Sequence, residues 1–136
     1  MKFVFNEEKN EERRRMLMMQ PTIEEGKALL ARDDTDAYAW YVYGKALSIQ
    51  KDYEAAIEAH SHGIACDPFY APNYFGRGGK MSLTGRLWSA LADYSMALHL
   101  DSSNWLYWYY RATTLNLAGY LEESIDDFRQ CMKVTD

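Results

Sequence analysis

The chain has 136 residues, 48% of them apolar and 26% charged, which suits one continuous core and excludes bulk disorder. Its formal net charge is −5, which makes nucleic acid a poor partner, because phosphate binding needs a dense Lys/Arg face. Two cysteines are too few for a disulfide scaffold, and no apolar stretch approaches the roughly 20 residues of a membrane span.

The opening MKFVFNEEKN has three apolar residues after its lysine and then turns acidic, unlike a signal peptide. The expected setting is therefore cytoplasmic, with no membrane contact and reduced thiols. Next, NEEKNEERRRMLMM reads as a helix. Its basic run, Arg13 to Arg15, follows Glu7, Glu8, Glu11 and Glu12, so it reads as a solvated face with internal ion pairs. Pro21 separates it from TIEEGKALLARDD, a second helical stretch, and proline is tolerated at a helix start.

From residue 37 onward the sequence recurs every 34 residues. Trp40, Tyr74 and Trp108 form one column, and Gly44, Gly78 and Ala112 another. Leu47, Met81 and Leu115 follow, then Ala56, Ala90 and Ser124, then Ile57, Leu91 and Ile125. His60, Tyr94 and Phe128 align, as do Gly63, Ala97 and Cys131. Each unit divides into two helical stretches. The break falls at Thr84-Gly85 and at Ala118-Gly119, where glycine suits a left-handed helix end. Asp, Pro, Ser and Asn close the units as stop and cap residues. No run alternates with period two, so strands are not expected. TIEEGKALLARDD aligns in the same phase with AIEAHSHGIACDP. The organisation is a single domain, 1–136: a degenerate helix pair (3–36) and three repeats (37–70, 71–104, 105–136). About eight helices are expected.

These columns resemble the tetratricopeptide repeat, whose 34-residue period places a Trp, a Gly, a Tyr or Leu, then Ala, Phe, Ala and Pro at fixed positions. The first full repeat supplies Trp40, Gly44, Leu47, Ala56, His60, Gly63 and Pro68. The second supplies Tyr74, Gly78, Met81, Ala90, Tyr94 and Ala97, and the third Trp108, Ala112, Leu115, Ser124 and Phe128. His60 stands where the family has an aromatic residue, Cys131 where it has a small alanine, and Ser102 and Asp136 where it has the closing proline. The resemblance implies an all-α, right-handed superhelix of antiparallel helix pairs. It also implies binding of a protein or peptide, rather than catalysis, in a concave groove lined by the first helix of each pair. Independently, one helix pair cannot bury its apolar face alone, so pairs stack and present an extended surface.

Within the first helix of the first full repeat, Trp40, Gly44 and Leu47 form the packing stripe. The adjacent stripe, which faces the groove in the family, holds Tyr38, Tyr41, Lys45 and Ser48. The matching positions are Phe75, Gly79 and Ser82, then Leu106, Tyr109, Thr113 and Asn116. The expected groove is aromatic and neutral-polar: Tyr38, Tyr41, Phe75 and Tyr109, with Lys45, Ser48, Ser82, Thr113 and Asn116 between them. The alternative is that these rings pack between helices or beneath a terminal helix. One subset of the family grips chaperone C-termini through a carboxylate clamp of Lys, Asn, Asn, Lys and Arg. The corresponding places here hold Tyr41, Lys45, Gly76, Leu106 and Tyr110, so strong binding of such an acidic tail is not expected.

Arg77 and Arg111 are each followed 16 residues later by an aspartate, Asp93 and Asp127. The first full repeat lacks both partners, with Tyr43 and Ala59 at those places. Two structural ion pairs within repeats, Arg77–Asp93 and Arg111–Asp127, are therefore expected, because an unpaired charge near the packed side is costly.

Other motifs point elsewhere less well. GRGGK, residues 76–80, lacks the glycine spacing and the Ser/Thr of a phosphate loop and falls in mid-helix. His60 and His62, two apart, point to different helix faces, so no metal site is expected. Neither Cys66 nor Cys131 has an evident base, and no constellation supports acid/base work, so neither enzyme activity nor a cofactor is expected. The last helix has no polar cap after it, which raises the possibility of a homodimer through that end. The expected function is a protein-interaction scaffold or adaptor. The alternatives are a secretion-type or general chaperone for an unfolded client segment, or a regulatory domain of a larger protein.

Overall fold

The computed structural model describes residues 7–135. They form eight helices and no strand: α1 (Glu7–Met18), α2 (Ile23–Arg32), α3 (Ala37–Ile49), α4 (Tyr53–Cys66), α5 (Ala71–Leu83), α6 (Leu87–Leu100), α7 (Trp105–Leu117) and α8 (Leu121–Thr135). From α2 onward each helix packs against the next, with α3–α4, α5–α6 and α7–α8 as the tightest pairs. The first helices also meet across pairs, α3 on α5 and α5 on α7. The result is an all-α superhelix of antiparallel helix pairs, with α3, α5 and α7 along its inner side.

The 34-residue period reappears as repeated bonds. Trp40 Nε1 donates to the Asp34 carbonyl at 2.7 Å and Trp108 Nε1 to that of Ser102 at 2.7 Å. The Tyr74 hydroxyl donates to the Pro68 carbonyl at 2.9 Å. Each aromatic thus ties its helix to the linker six residues before it, while its ring joins the core. At the linkers, Asp33, Asp67 and Asp101 end their helices, the first two in extended conformation and Asp101 at φ −150°, ψ 84°. Their carboxylates accept from the backbone N–H two residues on, in Thr35, Phe69 and Ser103.

The turns inside the repeats also match. Gly85 and Gly119 have φ of +82° and +90°. Next to them, the Arg86 and Tyr120 N–H groups reach back to the Met81 and Leu115 carbonyls at 2.8 and 2.9 Å, which is the Schellman closure of a helix end. Lys51 occupies the equivalent place at φ 63°, with Asp52 N–H on the Leu47 carbonyl at 3.0 Å. A residue with a Cβ is held there in a conformation that glycine adopts freely.

Small residues mark close approach. A Cβ on Gly44 would lie 2.7 Å from the His60 ring, and one on Gly78 2.9 Å from Tyr94. In the GRGGK stretch, which is helical as expected, Gly76 would meet His60 at 2.5 Å, whereas Gly79 faces only the Tyr94 hydroxyl at 3.8 Å. Ala39, Ala56, Ala90, Ala97 and Ala112 are fully buried. Between α4 and α5 lies a polar pair. His60 Nδ1 hydrogen-bonds Asn73 Oδ1 at 2.9 Å, and Asn73 Nδ2 donates to the Ala37 carbonyl at 3.0 Å. Both side chains are buried, and burial pushes the His60 imidazole down to about 4, so it is neutral at pH 7. Among the described residues no buried side-chain nitrogen or oxygen lacks a partner.

Two expectations are corrected at the N-terminus. α1 does not pair with α2 as the first helix of a degenerate repeat; the structure places it across the inner side of α3 and α5. Within the Arg13–Arg15 run, Arg14 and Arg15 are exposed, but Arg13 is half-buried. Arg13 leaves its own helix to bind Asp101, 88 residues away. The start of the expected degenerate pair, residues 3–6, lies outside the described residues. At the other end α8 exposes Leu121, Ile125 and Met132. Among the described residues, no helix is long and apolar enough to cross a membrane.

Candidate functional site

The inner side carries a groove whose floor is aromatic. Phe75, on α5, has its ring centroid 5.0 Å from that of Tyr107, 5.1 Å from Tyr110 and 5.9 Å from Tyr94. Tyr41, on α3, sets its ring edge-on to Tyr70 at 6.5 Å and lies 5.9 Å from His60. Helical spacing puts these rings on one side, and the turns described above fix how α3, α5 and α7 align. A cavity of about 290 Å³ lies between this floor and α1.

The expected groove residues divide by position. Tyr41, Lys45, Ser48 and Phe75 line the cavity together. Tyr41 does so as part of the floor, only 8% exposed, and not as a ring standing free. Tyr38 sits at the rim, with its hydroxyl 3.9 Å from the Met19 sulfur. Ser82 does not line the cavity; its hydroxyl meets that of Thr114 at 3.5 Å. Thr113 donates back to the Tyr110 carbonyl at 3.0 Å. Tyr109 is exposed and packs its ring against Trp105, Tyr110 and Phe128. Asn116 is exposed near the end of α7, away from the cavity.

Among the lining residues that escaped the sequence reading are Tyr70, Lys80, Asp101 and Tyr107. Asp101 was legible as a linker residue, in the column of Asp33 and Asp67, but its inward role was not. Tyr107 shares a column with Ala39 and Asn73, so nothing marked it as part of an aromatic floor. Gly76, at the place where the clamp subset carries its middle Asn, is pressed against His60, and a larger residue there would displace the ring.

No family model matches the chain. Over 106 residues the chain is 24% identical to protein bimA of Emericella nidulans, spanning 78% of this chain and 13% of that protein. Among solved structures, MamA superposes with a TM-score of 0.76 at 23% identity, over 83% of this chain and 66% of that one. The second tetratricopeptide-repeat domain of Spaghetti, solved with the HSP90 peptide SRMEEVD, superposes with a TM-score of 0.72 at 26% identity. It matches over 76% of this chain and 97% of its own length. The fold is that of a tetratricopeptide-repeat array.

In this tetratricopeptide-repeat array the two arginines stitch neighbouring repeats together. Arg77 donates to both Asp93 oxygens at 2.9 and 2.8 Å and to the Ser61 hydroxyl at 3.2 Å. Arg111 repeats the pattern on Asp127 at 2.7 and 2.9 Å and on Ser95 at 3.2 Å. Ser61 and Ser95, 34 apart, are the partners in the preceding repeat that the sequence reading missed. Arg111 also lies over the Trp108 ring at 5.2 Å.

The groove holds mixed charge. Burial lowers the Lys45 ammonium, and burial followed by the charge of Lys45 lowers Lys80. Burial pushes the Tyr41 phenol up to about 12, so it is a neutral hydrogen-bonding group. At Asp101 burial works upward. Hydrogen bonds from Ser103 and Arg13, with the charges of Arg13 and Lys9, outweigh it and hold the carboxyl below its usual range. Among the described residues no cluster of His, Cys, Asp and Glu could hold a metal ion.

Proposed function

We propose that the chain is a protein-interaction module whose concave groove captures a peptide segment of a partner. The observation that carries this reading is the aromatic-floored cavity on the inner side of α3, α5 and α7. Aromatic walls give large contact area at little entropy cost and serve as binding hot spots. The likeness to a tetratricopeptide-repeat domain solved with a bound peptide supports the same use of the fold. The ligand class differs from a clamp ligand, since the clamp places hold Tyr41, Lys45, Gly76, Leu106 and Tyr110. A partly apolar segment, with polar groups for Lys45, Ser48 and Lys80, fits better than an acidic tail.

The test is affinity capture from a cell extract, followed by mass spectrometry. Wild type is compared with Lys80→Ala/Ser48→Ala, both of which line the cavity, and with Trp88→Ser, whose ring is exposed on α6 away from the groove. The double variant is expected to recover groove partners about tenfold less, while Trp88→Ser recovers them normally. If all three recover the same proteins equally, the groove is not the binding face.

A further inference from the structure

The groove is not open: the chain's own α1 lies over it. We propose that α1 is a removable cover, and that a partner segment enters the groove only when α1 leaves. The proposal rests on the groove being the binding face.

The contacts of α1 are unlike those of any other helix in the chain. It has no buried residue. Asn10, Arg13 and Met16, spaced three apart, are half-buried against the body, and the other α1 residues are exposed, Lys9, Glu12 and Leu17 among them at the cavity edge. Two polar attachments hold it. At the first, Arg13 Nη2 donates to both Asp101 oxygens at 2.9 and 2.8 Å and to the Ser103 hydroxyl at 2.7 Å. Its Nη1 donates to the Ser103 carbonyl at 3.2 Å, and Lys9 lies 3.5 Å from Asp101. At the second, Lys45 Nζ donates to the Met16 and Leu17 carbonyls, the latter at 3.3 Å. Those carbonyls belong to the last turn of α1, where the helix dipole presents negative charge, so a cation is favoured there.

The attachments join side-chain tips and free carbonyls, not packed apolar faces, and the cavity of about 290 Å³ remains beneath them. Helices α2 to α8 interlock through their core. A helix fixed mainly by exchangeable hydrogen bonds opens at far lower cost than one that shares a core. The cover therefore lowers the apparent affinity for a partner by the fraction of time that it is closed.

The test uses the full chain and has two readouts that need no partner. Hydrogen exchange of α1 amides is compared in wild type and Arg13→Ala. Exchange in α1 is expected to quicken about tenfold in the variant, with α3 to α8 unchanged. In parallel, a labelled synthetic peptide of residues 7–20 is titrated into both proteins. It is expected to bind Arg13→Ala about tenfold more tightly than wild type, because its seat is vacated. Asp101→Asn, which opens the cover but spoils the seat, is expected to expose α1 to exchange without gaining affinity for the peptide. Equal α1 exchange in wild type and Arg13→Ala, or equal peptide binding, overturns the cover. Failure of affinity capture alongside faster exchange and tighter peptide binding would leave the cover standing and remove the partner-binding reading.

Discussion

Replacing Gly63 with alanine is expected to destabilise the chain by about 2–4 kcal/mol, although alanine is intrinsically the better helix former by about 1 kcal/mol. A Cβ there would sit 2.7 Å from the Asn73 side-chain carbon and closer still to its nitrogen. Asn73 cannot swing aside cheaply. It is fully buried, bonded to His60 and to the Ala37 carbonyl, and moving it strands polar groups that cost about 1–3 kcal/mol each. Gly79→Ala is the matched control. Its Cβ would meet only the Tyr94 hydroxyl, at an ordinary 3.8 Å, so the helix-propensity gain survives and stability should rise by about 0.5–1 kcal/mol. Urea unfolding followed by circular dichroism measures both. Equal effects of the two substitutions would mean that close helix approach is not what selects glycine at Gly63.

Arg77→Ala is the second large effect, at about 2–4 kcal/mol. It leaves the Asp93 carboxylate, 8% exposed, without its bidentate donor and removes the link to Ser61. Breaking a fully buried pair costs about 3–5 kcal/mol; Arg77 itself is 24% exposed, so screening trims the figure. Asp93→Ala should cost less, because the freed guanidinium can turn to water. The double variant should cost less than the two singles summed, since the second change removes an already unpaired charge. Arg77→Lys should recover only part of the loss, because an ammonium cannot span both carboxylate oxygens and Ser61 together. Additive single and double variants would show that the pair does not act as a unit.

Much of the scaffold was legible because one physical constraint recurs every 34 residues. Wherever the same helix crossing repeats, the same small residue, cap and turn recur, so α3 to α8 and their ends follow from column alignment. The Arg–Asp pairs were legible in the same way, by joint presence and joint absence. The His60–Asn73 pair left a fainter trace: each departs from its column, His60 from Tyr94 and Phe128, Asn73 from Ala39 and Tyr107. Two polar departures on adjoining helices are the signature of a compensating pair.

The candidate site was less legible. Tyr41 lines the cavity, but the sequence does not tell a ring standing in a groove from one forming its floor; that depends on Tyr70 and His60 from elsewhere in the chain. The position of α1 could not be read either. Its glutamates and arginines satisfy one another on paper, and the contact that fixes it, Arg13 to Asp101, joins residues 88 apart with no periodic counterpart.

The central claim is that partners bind the concave face that α1 covers. Its most direct test is the hydrogen-exchange footprint of the full chain mixed with a partner recovered by capture. The account predicts slower exchange on α3 and α5 around Lys45 and Lys80, together with faster exchange in α1 as it leaves the groove. Protection confined to α4, α6 and α8, with α1 unchanged, would contradict it.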